Sequence, residues 1–211
     1  MNDTLAIIDK ATSIENIETI HYCILFYIIT NNSMKMKRRM KGIIRLVQND
    51  LNINALNHAK GEYYGVSVLH ACIIMDLLDE VNFLLFLGCD KDKKTLNGYT
   101  PMDFAIFNNN YKMATLLLQH KCTTDGYIYI TTALRCYADE YFMMILLRGG
   151  CDINEIDHNG HTALYYAKTM RRDMIRFIKK NGGRIENEGV WRRVRRYAKE
   201  TAEILRIIYN F

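Results

Sequence analysis

Residues Asn97–Cys122 read NGYTPMDFAIFNNNYKMATLLLQHKC, and residues Asn159–Arg184 read NGHTALYYAKTMRRDMIRFIKKNGGR. Both open with Asn-Gly-x-Thr, continue with Pro or Ala and a short apolar stretch, and then carry a second apolar stripe at helical spacing. An echo of this kind marks an array of small helical units that cannot bury their apolar faces singly. Arrays of that type present extended surfaces to partners.

The register extends in both directions. Ser67 opens SVLHAC, Thr100 opens TPMDFA, Thr132 opens TALRCY and Thr162 opens TALYYA, with steps of 33, 32 and 30 residues. Each unit closes on an apolar helix and a turn: Val81–Asp90, Met113–Cys122, Phe142–Asp152 and Met174–Gly183. Thr or Ser at a helix start caps exposed backbone N–H groups. Pro101, the single proline, suits a first helical turn. Gly88, Gly150 and Gly183 suit the left-handed residue that ends a helix. Measured from Thr132, the helices of the unit at 126–158 are about three residues shorter than their neighbours, nearly one turn, so a distorted pair is expected there.

This pattern resembles the ankyrin repeat, with its units of about 33 residues and T-P-L-H-x-A opening. The resemblance implies an all-α ankyrin solenoid of about five helix-turn-helix units forming a single domain, residues 1–211. Within it, residues 1–18 are expected to be an N-terminal capping helix and 19–58 a degenerate repeat. Repeats follow at 65–96, 97–125, 126–158 and 159–187, and a second cap at 188–211. In the degenerate repeat, Thr19–Cys23 stands for the opening motif and Ile43–Asn54 for the second helix. The basic segment Asn31–Lys41 between them reads as an exposed insertion. In the last cap, Trp191, Val194, Ala198, Ala202, Leu205 and Ile208 recur at spacings of three and four, the signature of one helix face.

Composition narrows the classes. Hydrophobic residues make up 49% and charged residues 24%, ordinary for a globular protein. Asp3 and Asp9 interrupt the N-terminus, so no secretory signal is expected. The most apolar run, Ile20–Ile29, is about half the length needed to span a bilayer, so no membrane partner is expected. The six cysteines show neither C-x-x-C pairs nor zinc spacing. Under the resemblance Cys89, Cys122 and Cys151 fill the alanine of a G-A-D turn, and Cys72 and, approximately, Cys23 the alanine of H-x-A. Free cysteine packs in such slots as a small hydrophobe.

Candidate chemistry dissolves in the same register. His21 and His70 match the motif histidine, which the family uses to bond backbone in the neighbouring turn. Asp90, Asp152 and Asp157 fall at turns, where Asp bonds its own backbone. No phosphate-binding, nucleophile-elbow or zinc-protease motif is present. No enzyme, cofactor or metal is therefore expected. The remaining candidates are partner contacts: Lys93, Lys94 and Asn97 on one tip, Tyr127 and Tyr129 as exposed loop anchors, Asp157 and His158 on another tip, and Arg192, Arg193, Arg195 and Arg196 in the terminal cap.

Abundant Asn, Ile, Lys, Tyr and Met, together with phrases such as LLRGGCDINEIDHNGHTALYYA (Leu146–Ala167), resemble the ankyrin proteins of poxviruses. That resemblance implies a host-range factor that acts in the host cytoplasm, or also the nucleus, as a monomer. It would bind and block a host interferon-induced or signalling protein. Longer members carry an F-box-like C-terminal segment; no such pattern follows the last cap, so blocking rather than degradation is expected. The alternatives are an IκB-like inhibitor of a Rel-family transcription factor, and nucleic-acid binding through the arginine-rich cap, for which the net charge of +5 is weak support.

Overall fold

The computed structural model describes residues 17–30, 36–48, 51–58, 63–124 and 127–184. The expected caps, Arg192, Arg193, Arg195 and Arg196 among them, lie outside the described residues. Packing divides the chain into two compact units, residues 1–123 and 124–211. The described residues are helical, with one isolated antiparallel bridge between Leu56 and Ser67.

The first unit contains α1 (Ile17–Thr30), α2 (Met36–Gln48), α3 (Val68–Ile74), α4 (Leu78–Phe86), α5 (Pro101–Phe107) and α6 (Tyr111–Gln119). α1 packs on α2, α3 on α4 and α5 on α6, while α3 also packs on α1 and α5. A seven-residue helix is too short to hold itself in water, so each depends on this lateral burial. Leu69 and Met102 occupy the motif leucine slot, Cys72 and Ala105 the alanine slot, and all four are buried. Thr100 accepts from the Asp103 N–H, and the Asp103 carboxylate accepts from the N–H and hydroxyl of Thr100, closing a capping box around Pro101.

The second unit contains α7 (Tyr129–Arg135), α8 (Glu140–Arg148), α9 (Ala163–Thr169), a 3-10 turn (Arg172–Met174) and α10 (Ile175–Lys180). α7 packs on α8 and α9, and α9 on α10. The expected shortening of the helices after residue 126 does not occur. α7 and α8 have 7 and 9 residues, the same as α3 and α4 or α5 and α6. Thr132 is not a cap; it lies inside α7, and Ile128 stands at the N-cap without a side-chain bond. IYITTA (Ile128–Ala133) is thus the degenerate opening motif, with buried Ile130 and Ala133 in the leucine and alanine slots. The missing residues come from the preceding connection: residues 87–100 and 149–162 number 14 each, whereas 120–128 number nine.

The basic segment at 31–41, expected as an exposed insertion, is helical over its last six residues, which begin α2. α1 and α2 run for 14 and 13 residues, so much of the extra length lies in the two helices. A second correction concerns the final glycines: Gly182, not Gly183, takes the left-handed conformation, at φ +87°, beside Gly88 and Gly150 at +85° and +96°. Gly183 is required for a different reason, since a Cβ there would overlap the Ile178 side chain and carbonyl.

Lys121 occupies the left-handed position after α6, at φ +58°, where the other units have Gly88, Gly150 and Gly182. A side chain in that conformation costs about 1–2 kcal/mol, part of which glycine returns as unfolded-state entropy. Lys121→Gly is expected to stabilise the chain by roughly 0.5–1 kcal/mol, read as a higher urea midpoint at unchanged m-value.

Candidate functional site

The turns that follow the second helices are held by one repeated device. The Asn52 side chain accepts from the Asn54 N–H at 2.9 Å, Asp90 from Asp92 N–H at 3.0 Å, and Asp152 from Asn154 N–H at 2.8 Å. The residue so oriented then reaches the next turn. Asn54 Oδ1 accepts from Asp90 N–H at 2.8 Å, Asp92 Oδ1 from Thr123 N–H at 2.7 Å, and Asn154 Oδ1 from Arg184 N–H at 2.8 Å. Asp90 and Asp152 are thereby assigned to turn geometry, as the sequence leads one to expect.

Histidines serve the same framework. His21 Nδ1 accepts from the Asn52 N–H at 3.2 Å. His70 is fully buried, and its Nδ1 lies 2.7 Å from Ser67 Oγ and accepts from Ser67 N–H at 3.3 Å. Burial pulls the His70 pKa down to about 4, opposed by the backbone of Tyr99 and Lys93 in the following turn. Those groups favour the charged ring, but neither completes a hydrogen bond of full geometry with Nε2. The free cysteines Cys72, Cys89, Cys122 and Cys151 are buried. Burial raises the Cys89 and Cys122 thiols to about 12 and about 11 and Cys72 higher still, which leaves them protonated and unreactive. Among the described residues, no group of three His, Cys, Asp or Glu side chains is placed to hold a metal ion. No described helix is long and apolar enough to cross a membrane.

The sequence-derived contact residues separate into two groups. Lys94, Asn97 and His158 are exposed and Lys93 half-buried, all in connections between helices. Tyr127 and Tyr129 are not exposed loop anchors. Tyr129 is the first residue of α7 and only 1% exposed, and half-buried Tyr127 stacks on it at 5.0 Å with the rings 2° from parallel. The cause is the register set by Ile128, which puts Tyr129 in the buried slot that Pro101 fills elsewhere. Asp157 is also buried. Its Oδ1 accepts from the N–H groups of Asn159 and His161, both at 2.9 Å, and its Oδ2 from the Tyr166 hydroxyl at 2.6 Å. Burial alone would raise its pKa; the bonds from Tyr166, His161 and Asn159 outweigh that and hold the carboxyl below its ordinary value.

Aromatic clusters on the turns and first helices escaped the sequence reading. In the first unit Tyr99, Phe104 and Phe107 meet edge to face, with centroids 5.3–6.2 Å apart, and Phe104 meets the His70 ring at 5.4 Å. Tyr99 is 44% and Phe107 42% exposed, and Leu96 is exposed on the same turn. In the second unit His161 stacks on Tyr165 at 3.7 Å, Tyr166 packs edge-on to both, and Arg135 lies 5.7 Å over Tyr166. Tyr165 is 37% exposed. The signal was available: the x of Asn-Gly-x-Thr is Tyr99 or His161, and the residue before the motif alanine is Phe104 or Tyr166. Rigid aromatics on a fixed turn and helix are suited to anchoring a protein partner at small entropic cost.

A family model described as Ankyrin repeats (3 copies) matches residues 8–128, more than half of the chain. No curated protein matches it. The helix pairs of residues 129–180 lie beyond the matched segment, yet repeat the same slots.

The His70 pKa falls from 6.5 unfolded to about 4 folded, so the unfolded chain binds the extra proton between those values. Stability is full above pH 6.5 and declines as pH falls toward 4, by up to about 3 kcal/mol. His70→Gln is expected to flatten that segment in urea midpoints measured from pH 7 to pH 4.5. At pH 7, Asp157→Ala is expected to cost about 2 kcal/mol through lost bonds to a buried carboxylate, while His158→Ala stays within about 0.5 kcal/mol.

Proposed function

This chain belongs to the ankyrin-repeat family, and from that premise we propose that it is a non-enzymatic module that occupies a partner protein through the aromatic clusters of its turns and first helices. The family's repeats are protein–protein interaction units. The observation that carries the reading is the Tyr99–Phe104–Phe107 cluster: large apolar rings left partly exposed, Tyr99 on a turn fixed by its own hydrogen bonds and Phe104 and Phe107 on α5. Thr95 Oγ1 accepts from Tyr99 N–H at 3.1 Å, and Thr95 N–H donates to the Tyr99 carbonyl at 2.8 Å, so Tyr99 is presented on a closed turn. Lys93, Lys94 and Asn97 supply a polar rim to such a contact.

The partner we propose is a host interferon-induced or innate signalling protein, bound and blocked in the cytoplasm by a viral host-range factor. Support for this lies in the composition and in the degenerate repeats, which resemble poxvirus ankyrin proteins. The buried, protonated thiols and the structural roles of Asp157 and His70 commit these side chains to the fold rather than to catalysis, and binding falls to the exposed rings.

Affinity purification from interferon-treated cells, followed by reconstitution with the purified partner, tests this. Tyr99→Ala and Phe107→Ala are each expected to weaken binding by about 30-fold, roughly 2 kcal/mol, without moving the unfolding midpoint. Unchanged affinity in both variants, or recovery of chaperones alone, would refute the assignment.

A further inference from the structure

The hairpin of α1 and α2 is longer than its repeat requires, and the surplus carries a particular chemistry. His21 takes the place in α1 that His70 takes in α3, and α1 then runs five residues further than α3 does, to Thr30. α2 begins four residues before a nine-residue helix ending at Gln48 would begin; those four are Met36, Lys37, Arg38 and Arg39. The whole helix, MKRRMKGIIRLVQ, has five basic residues, no acidic residue and no aromatic one. Positions 37, 41 and 45 fall in one row along it, about 6 Å apart, with position 38 beside them. Arg38 and Lys41 are exposed, and neither pairs with a described acid.

We infer that this lengthened hairpin is a second site, separate from the aromatic clusters, whose basic row binds the phosphate backbone of a nucleic-acid duplex without reading its sequence. A closely spaced row of cations matches a uniform polyanion, which is where counterion release supplies affinity. The absence of aromatic residues from α2 removes base stacking, so contacts are to phosphates and carry no sequence information. Protein interfaces are depleted of lysine and rely on aromatic anchors, which disfavours an acidic protein as the occupant. A membrane surface would need a broad apolar face on the helix, whereas Ile43 is only 2% exposed within the unit and Ile44, at 36%, sits one turn from exposed Lys41.

The test uses the full chain, a fluorescein-labelled RNA duplex and a DNA duplex of the same sequence, read by anisotropy. Both are expected to bind alike. With about four phosphates engaged, affinity should fall about 100-fold between 50 and 200 mM salt. The variant carrying Lys37→Gln, Arg38→Gln, Lys41→Gln and Arg45→Gln is expected to lose binding while keeping its helical circular dichroism. Should that variant fail to fold, Arg38→Gln with Lys41→Gln alone is expected to reduce the salt slope by about 2. No binding by the wild type at 50 mM salt overturns the inference, as does undiminished binding by a folded variant. Loss only when Arg192, Arg193, Arg195 and Arg196 become Ala would move the site to the terminal arginine run. Displacement of the duplex by polyglutamate at equal charge would make the row a receptor for acidic protein instead.

Discussion

The bond on which the repeats depend is the one from a turn side chain to the backbone N–H of the next turn. In the first unit it runs from Asn52 through Asn54 to Asp90, and from Asp90 through Asp92 to Thr123. In the second it runs from Asp152 through Asn154 to Arg184. Each link uses two Asx side chains, one to fix its own turn and the next to satisfy a donor in the neighbouring turn. Hydrophobic burial supplies most of the stability of such arrays but is indifferent to small slips between helices. A charged or amide oxygen at 2.7–2.8 Å from a specific N–H is not indifferent, and so it sets the spacing at which the apolar slots meet.

That division of labour explains what could be read from the sequence. Slots defined by burial repeat in composition: Leu69, Met102, Ile130 and Leu164 in one, Cys72, Ala105, Ala133 and Ala167 in another. Cys72, Cys89, Cys122 and Cys151 are legible for the same reason, and exposed Asp90 and Asp152 through the turn chemistry of Asp. The misreading at Thr132 came from trusting the capping threonine over these slots. A cap is worth about 1 kcal/mol and can be replaced, as Ile128 shows, whereas an empty core slot costs several. Once Ala133 is aligned with Ala105, the five residues missing from 120–128 explain the step, and Tyr129 becomes a core residue. The basic segment was legible as an insertion but not as a helix: Lys and Arg are compatible with loops and with helices alike, so charge alone does not show that residues 36–41 belong to α2.

Nearly every side chain that suggested chemistry is consumed by the framework. Asp157 holds a turn and Tyr166 together, His70 caps its own helix from a buried position, and Cys72, Cys89, Cys122 and Cys151 pack as small apolar groups. Their shifted pKa values arise from burial and from bonds that maintain the fold, that of Tyr166 to Asp157 among them. Perturbed ionisation of this kind follows from structural networks as readily as from active sites.

What the framework does not consume is sorted by chemistry. The turns and first helices leave half-exposed rings, each braced by another ring, at Tyr99, Phe107 and Tyr165. The lengthened α1–α2 hairpin offers cations and no ring at all on α2. Aromatic anchors gain by being desolvated against another protein, whereas lysine and arginine gain by neutralising phosphates and releasing their condensed counterions. A single partner of ordinary composition would satisfy one of these surfaces and leave the other unused. The lengthening of α2 begins with the residues that bear the charge, and the neighbouring repeats close their cores without any such extension, so packing alone does not account for it.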